Sequence, residues 1–253
     1  MILDPLTLAF AAGAIVVGAF LQRVSGMGVG LVVSPALGFL IGPQVGIFAT
    51  NIVTIVSAAT LTVVRWRDID WRRVAWILVA GIPGAFAGAL LVRETPTAWL
   101  HIILGGSVFL ALIVTFAARN LYERDGRSQL VVAGSVGGML NCAAGVAGPV
   151  MAIYGRRARW THPSFGASLQ PIFLGLGILS VVSKTMLNSI GGSGELPEWW
   201  YIPIVIALVF AGALAGKWAS RRIAPAQAQI VSTVLAGTGA LMVLARGILG
   251  LAA

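Results

Sequence analysis

The chain has 253 residues, 58% of them apolar and 10% charged, with a formal net charge of +9. Soluble domains carry about 25% charged residues, so this chain lacks the polar material to cover a water-facing surface. That excludes an ordinary cytoplasmic enzyme and a disordered chain, and a lone cysteine, Cys142, excludes a disulfide scaffold. An all-α polytopic membrane protein remains, and its 17 Lys and Arg pose a question of sidedness rather than of nucleic-acid binding.

A spanning helix needs about 20 mostly apolar residues. In chain order the apolar segments fall at about 5–41, 45–64, 74–92, 97–118, 129–155, 165–190, 199–219 and 226–250. Every acid (Asp4, Asp68, Asp70, Glu94, Glu123, Asp125, Glu195, Glu198) lies between segments or at the N-terminus. Trp66, Trp71, Trp99, Trp160, Trp199, Trp200 and Trp218 sit near segment ends, as in an interfacial aromatic belt. The first segment begins with Asp4 and no Lys or Arg. It lacks the basic region of a secretory signal and reads as part of the mature fold.

The first segment holds a glycine tract, Gly26-Met27-Gly28-Val29-Gly30, and is long enough for a re-entrant hairpin or two short crossings. The fifth, 129–155, holds Gly145-Val146-Ala147-Gly148 and is too short for two crossings. It reads as a re-entrant hairpin with its tip buried in protein, since broken backbone is not tolerated against lipid. The two tracts are 118 residues apart, and two further matches stand 128 apart. These are Gly84-Ala85-Phe86-Ala87-Gly88 with Gly212-Ala213-Leu214-Ala215-Gly216, and Asp70-Trp71 with Glu198-Trp199. The chain therefore reads as one transmembrane domain over 1–253 with two repeats, about 5–118 and 129–250. Each repeat is a glycine-rich broken or re-entrant segment plus three transmembrane helices, with GxxxG faces that pack helices closely.

Cations cluster at Arg65–Arg73, Arg119–Arg127, Arg156–Arg159 and Lys217–Arg222. If both glycine-rich segments enter and leave on one side, 13 of the 17 cations share a face. The positive-inside rule makes that face cytoplasmic, puts the N-terminus outside a cell inner membrane, and makes the repeats inverted.

The glycine tract with Pro35 after it, the Gly42-Pro43 link, Thr50-Asn51, the basic loop ending in Asp70-Trp71, the GxxxG helix and the degenerate second copy together resemble the sulfite exporter TauE/SafE family. The resemblance covers almost the whole chain. It implies a transporter that exports sulfite, sulfoacetate or another small organosulfur anion.

No constellation suggests catalysis, a metal or a cofactor, so the chain does not read as an enzyme. His101 and His162 read as interfacial residues, Cys142 as a small packing residue and Met27 as filler. Lys184 and Arg246 fall inside apolar segments and are expected to snorkel to the surface. Arg23 stands beside the first tract and is the expected anion partner. A helix that restarts after a glycine break points free N–H groups and a positive dipole end at the gap, which suits an anion. The expected substrate-binding residues are Arg23, Ser25, Gly26, Gly28, Gly30, Asn51, Asn141, Gly145, Gly148 and Gln170. Asn51 and Gln170 sit at similar depth after their tracts, one position out of register at the 118 offset. The expected function is alternating-access transport of a small anion across the bilayer, its partners being that anion and lipid, with no nucleic acid. The rival readings are an anion channel of the same fold and a non-transporting accessory subunit.

Overall fold

Asp4 starts the first helix: its carboxylate accepts the Thr7 backbone N–H, and Pro5 occupies the first helical position, where its missing donor costs nothing. From there the computed structural model describes residues 4–117, 126–190 and 201–252. They form ten α-helices, with no strand among the described residues. The helices are α1 (Pro5–Ser25), α2 (Val29–Ile41), α3 (Pro43–Val64), α4 (Trp71–Glu94), α5 (Thr97–Ala117), α6 (Arg127–Ala144), α7 (Gly148–Arg157), α8 (His162–Met186), α9 (Tyr201–Ala219) and α10 (Pro225–Ala252). Six of them, α1, α3, α4, α8, α9 and α10, are long and apolar enough to cross a membrane. With the apolar faces of α9 and α10 largely exposed, this is a multi-pass membrane protein.

Both glycine-rich segments are hairpins with unequal arms. α1 has 21 residues, about 31 Å at the helical rise, whereas α2 has 13 and reaches only about 20 Å. α6 has 18 residues and α7 has 10, so α7 spans about 15 Å. A hydrocarbon core is about 30 Å thick, so neither α2 nor α7 crosses it. The first segment is thus a hairpin of one full-length helix and one half-helix.

Each long arm ends on a left-handed glycine. Gly26 has φ 82° and its N–H returns to the Gln22 carbonyl at 2.8 Å. Gly145 has φ 71° and returns to Asn141 at 2.8 Å. A residue with a Cβ is strained in this region, so the two glycines end the helices where further apolar residues would otherwise continue them.

The GxxxG faces do what their spacing predicts. A methyl group on Gly84 would run into the Ser135 carbonyl of α6, and one on Gly88 would stand 2.6 Å from the Met139 carbonyl oxygen. On α9, Gly212 lies against Val16 and Gly216 against Phe20 and Arg23 of α1. Small residues let these backbones approach closely where lipid supplies no hydrophobic drive.

The same contacts give directions. α4 runs parallel to α6 and α9 parallel to α1, while Gly177 beside Asn51 and Gly166 beside Arg65 make α8 antiparallel to α3. Gly105 beside Ala240 and Gly247 beside Ala98 make α10 antiparallel to α5. The helix ends bearing Arg65–Arg73, Arg127, Arg156–Arg159 and Lys217–Arg222 therefore gather at one face. Arg93, Glu94 and Asp4 lie at the other. Arg119, Arg124, Glu195 and the Glu198-Trp199 pair fall outside the described residues.

On the cation-rich face the first acid-Trp loop is tied down. Asp70 caps α4 by accepting the Arg73 N–H at 3.1 Å, and its own N–H donates to Ser168 Oγ of α8 at 2.8 Å. The Arg73 guanidinium lies 4.9 Å from the Trp160 ring centroid.

Candidate functional site

α2 and α7 enter from opposite faces and their N-terminal tips meet inside the protein. The contact is backbone on backbone: a methyl group on Gly30 would collide with the carbonyl oxygen of Gly145. Ser34 of α2 donates to the Ala144 carbonyl at 2.6 Å, and Gly148 packs on the Met27 sulfur.

Between the tips lies a cavity of about 20 Å³ lined by Gln22, Met27, Gly28, Gly30, Leu31, Thr54, Asn141, Gly145–Gly148 and Phe173. The first helical hydrogen bond of α2 runs from Val32 N–H to the Gly28 carbonyl, and the first of α7 from Met151 N–H to Ala147. The N–H groups of the preceding residues have no acceptor within their own helix. Two half-helices therefore aim unused donors and positive dipole ends at one small cavity.

Four buried amides brace the tips. Gln22 donates to Gln170 Oε1 at 3.1 Å, and Gln170 Nε2 donates to the Gly26 carbonyl at 3.1 Å. On the other side Asn141 donates to Asn51 Oδ1 at 3.2 Å and to Ser180 Oγ at 3.0 Å. Each amide residue is at most 2% exposed. Unpaired, a buried amide would be costly; paired, it fixes one tip against its neighbours.

The left-handed glycines, Gly26 and Gly145, are 119 residues apart. So are Gln22 and Asn141, and so are Asn51 and Gln170. Aligned on backbone conformation rather than on glycine content, Asn51 and Gln170 fall into register. The Gln22–Gln170 bond then has its counterpart in Asn141–Asn51.

Among the expected site residues, Gly28, Gly30, Asn141, Gly145 and Gly148 line the cavity. Gly26, Asn51 and Gln170 touch its walls through the hydrogen bonds above. Ser25 is turned aside: its hydroxyl bonds to the carbonyls of Leu21 and Met27. It lines a second cavity, of about 30 Å³, with Pro149, Gln229, Ser232 and Thr233. Arg23 is not brought to either cavity. It is half-buried, and its stem lies on Gly216 of α9.

Several residues read as bland in sequence are placed otherwise. Met27 and Leu31 line both cavities and form the wall between them. Gln22 is as central as Gln170, and its signal was there: a lone amide in an apolar helix one turn before a glycine tract. Lys184, expected at the surface, is 0% exposed, and its Nζ has no hydrogen-bond partner. Its position in α8 aims the stem inward, so the ammonium cannot reach a headgroup. His101 is also buried, with Nδ1 2.9 Å from the Thr97 carbonyl oxygen. Arg246 does reach out, with its guanidinium on the Phe39 carbonyl and 5.4 Å from the Phe39 ring centroid. The His162 side chain lies outside the described residues. Among the described residues no His, Cys, Asp and Glu group could hold a metal ion.

The family model described as "Sulfite exporter TauE/SafE" matches residues 10–243. A curated protein of Cupriavidus necator, "Probable sulfite/organosulfonate exporter TauE", is 26% identical over 234 residues, covering 90% of each chain. No solved structure matches.

Proposed function

The chain belongs to the TauE/SafE sulfite exporter family of membrane transporters, and from that premise we propose that it exports a small sulfur-containing anion, sulfite or an organosulfonate, by alternating access. The observation that carries this reading is the meeting of two half-helix N-termini at one cavity. Backbone N–H groups and helix dipoles favour oxyanions of sulfur as they favour phosphate. They also recognise the anion without a fixed acid or base at the contact. Gly28, Gly30, Gly145 and Gly148 let the tips pack closely on each other and on their neighbours, so that the N–H groups converge on the cavity. Asn141 lines the cavity with both of its amide hydrogens given to Asn51 and Ser180, and Gln170 holds the first tip by donating to the Gly26 carbonyl.

A cavity of about 20 Å³ has room for about one water molecule, and sulfite is larger. Loading therefore requires the tips to separate. Met27 and Leu31, shared between the two cavities, are the side chains that must move to connect the centre with the cation-rich face. A closed centre of this kind favours a gated carrier over an open channel. The inverted-repeat reading is supported by the 119-residue register and by hairpins that enter from opposite faces. In such folds the two repeats rock about a fixed midplane site. With the cation-rich face cytoplasmic, in a cell inner membrane, loading occurs from inside.

The test is flux in proteoliposomes loaded with sulfite or sulfoacetate. Saturable, counterflow-competent release is expected. Non-saturating release with unitary currents would make it a channel, and specific anion binding without any flux would make it an accessory protein. Reporter tags placed after Arg127 and after Arg159 should both face the cytoplasm.

A further inference from the structure

At the tips and beyond them, toward the face away from the cations, three buried polar atoms of α3 and α8 have no partner: Asn51 Nδ2, Ser183 Oγ and Lys184 Nζ. Lys184 is 0% exposed, Ser183 1% and Asn51 0%. Ser180, Ser183 and Lys184 share one face of α8, because residues three and four apart are helical neighbours. Ser180 accepts from Asn141, and Asn141 donates to Asn51, so the orphaned groups adjoin one hydrogen-bonded cluster. The Cys142 thiol of α6 lies within electrostatic reach of the ammonium. α3, α6 and α8 contain no Asp or Glu, and α4, which also packs on α8, carries only the exposed Glu94 at its C-terminal end, beside Arg93.

The chemistry of this cluster is one-sided. An ammonium brings three donors and an amide nitrogen two, with no acceptor capacity at either atom. Burying an ammonium unpaired is costly, and in a membrane segment such a charge faces a partner or a pathway. Carboxylates that would balance it are absent from α3, α6 and α8, and Glu94 of α4 is exposed. What completes the set is a guest rich in acceptors and carrying negative charge.

We propose that Lys184, with Asn51 and Ser183, forms an anion subsite that takes the oxyanion group of the transported substrate as it leaves the tips for the cation-poor face. This deepens the export reading above and rests on it. It assigns to Lys184 the fixed positive charge that sequence placed on Arg23. The central cavity then holds the anion by backbone dipoles alone, and the lysine one helical turn beyond Ser180 draws it onward. Because the subsite is reached only past Asn141, occupancy would follow separation of the tips.

The experiment compares wild type with Lys184→Met and Lys184→Arg. Calorimetric titration of the detergent-solubilised protein uses sulfite, sulfate and sulfoacetate, and sulfite flux is measured in proteoliposomes. An unpaired buried charge is costly and methionine is of similar length and apolar, so Lys184→Met should insert normally. Its sulfite affinity should fall about thirtyfold, equivalent to ~2 kcal/mol, with flux falling in parallel, and Lys184→Arg should keep part of both. Unchanged binding and flux in Lys184→Met, with wild-type export intact, would overturn the subsite and leave the export reading standing. Lysine-dependent binding without wild-type flux would do the reverse. Binding of none of the three anions by wild type would sink both. Should Lys184→Met fail to insert, the Asn51→Ala, Ser183→Ala double variant serves instead. It is expected to weaken sulfite binding about tenfold, and unchanged affinity there would overturn the subsite.

Discussion

The two hairpins, α1–α2 and α6–α7, solve one problem with different materials. Each stops a long helix on a left-handed glycine, turns, and sends a half-helix back. Around Gly26 there is open space, since a methyl group there would meet nothing within 4 Å. Around Gly145 a methyl would stand 2.8 Å from Ser34 Oγ and 3.4 Å from a Thr50 methyl carbon. The first tip is thus loosely walled and the second is wedged between α2 and α3. The bracing differs too. Gln170 is long enough to reach both Gln22 and the Gly26 carbonyl. Asn51, one methylene shorter, bonds with Asn141, but its Nδ2 is left without a partner. The half-helices also differ in donors, because Pro149 removes one N–H from the first turn of α7. The first hairpin is therefore the more loosely walled and donor-rich member of the pair.

The largest test of this difference is Gly30→Ala. Its methyl would strike a backbone carbonyl, which cannot rotate away as a side chain would. The tips must separate to admit it, and transport should fall at least a hundredfold, well beyond any loss of expression. Near-normal flux would mean that the tips do not close on each other. Next comes the pair Gly145→Ala and Gly26→Ala. Both incur the left-handed penalty of about 1–2 kcal/mol, and only the first adds the clash with Ser34. Thermal unfolding in detergent should show a clearly larger drop for Gly145→Ala. Equal drops would erase the asymmetry. Third, Gln170→Ala strands both Gln22 and the Gly26 carbonyl, at about 1–3 kcal/mol for each buried group left unpaired. Asn51→Ala strands Asn141, which keeps its bond to Ser180. The glutamine variant should be the less stable of the two.

Much of this was legible in sequence, for reasons that particular residues show. The eight apolar segments appear as helices because lipid-facing residues must be apolar all round, and the acids are confined to the gaps and ends. The glycine breaks were legible because nothing else in an apolar run stops a helix. Arm lengths were not, because composition does not mark where α2 starts within Met27-Gly28-Val29. The amide pairs were missed because the tracts align by glycine content at 118 and by backbone conformation at 119; one residue moves every side chain by about 100° on a helix. Lys184 was misread because snorkelling depends on which way a helix face turns. Six residues from a segment end a lysine can point to water or to the core, and packing against α6 decides it. Arg23 turns the opposite way. It is next to the tract in sequence, yet Gly216 opens a groove for it on α9.

The smallest effect separates the hairpins at their entrances. α1 begins with a side-chain cap, and α6 begins at Gly126 without one. Hydrogen bonds from the Thr7 hydroxyl and backbone N–H hold the Asp4 carboxyl below the usual carboxylate range. A depressed folded value means that the cap contributes fully above the unfolded value, near 3.8, and is lost as pH falls through the folded one. Asp4→Ala should therefore lower the melting temperature slightly at neutral pH, since the group is solvent-exposed. The gap to wild type should close as pH drops below about 4. A gap that persisted in acid would assign the effect to side-chain packing rather than to the charged cap, and the entrance of α1 would then be no better anchored than that of α6.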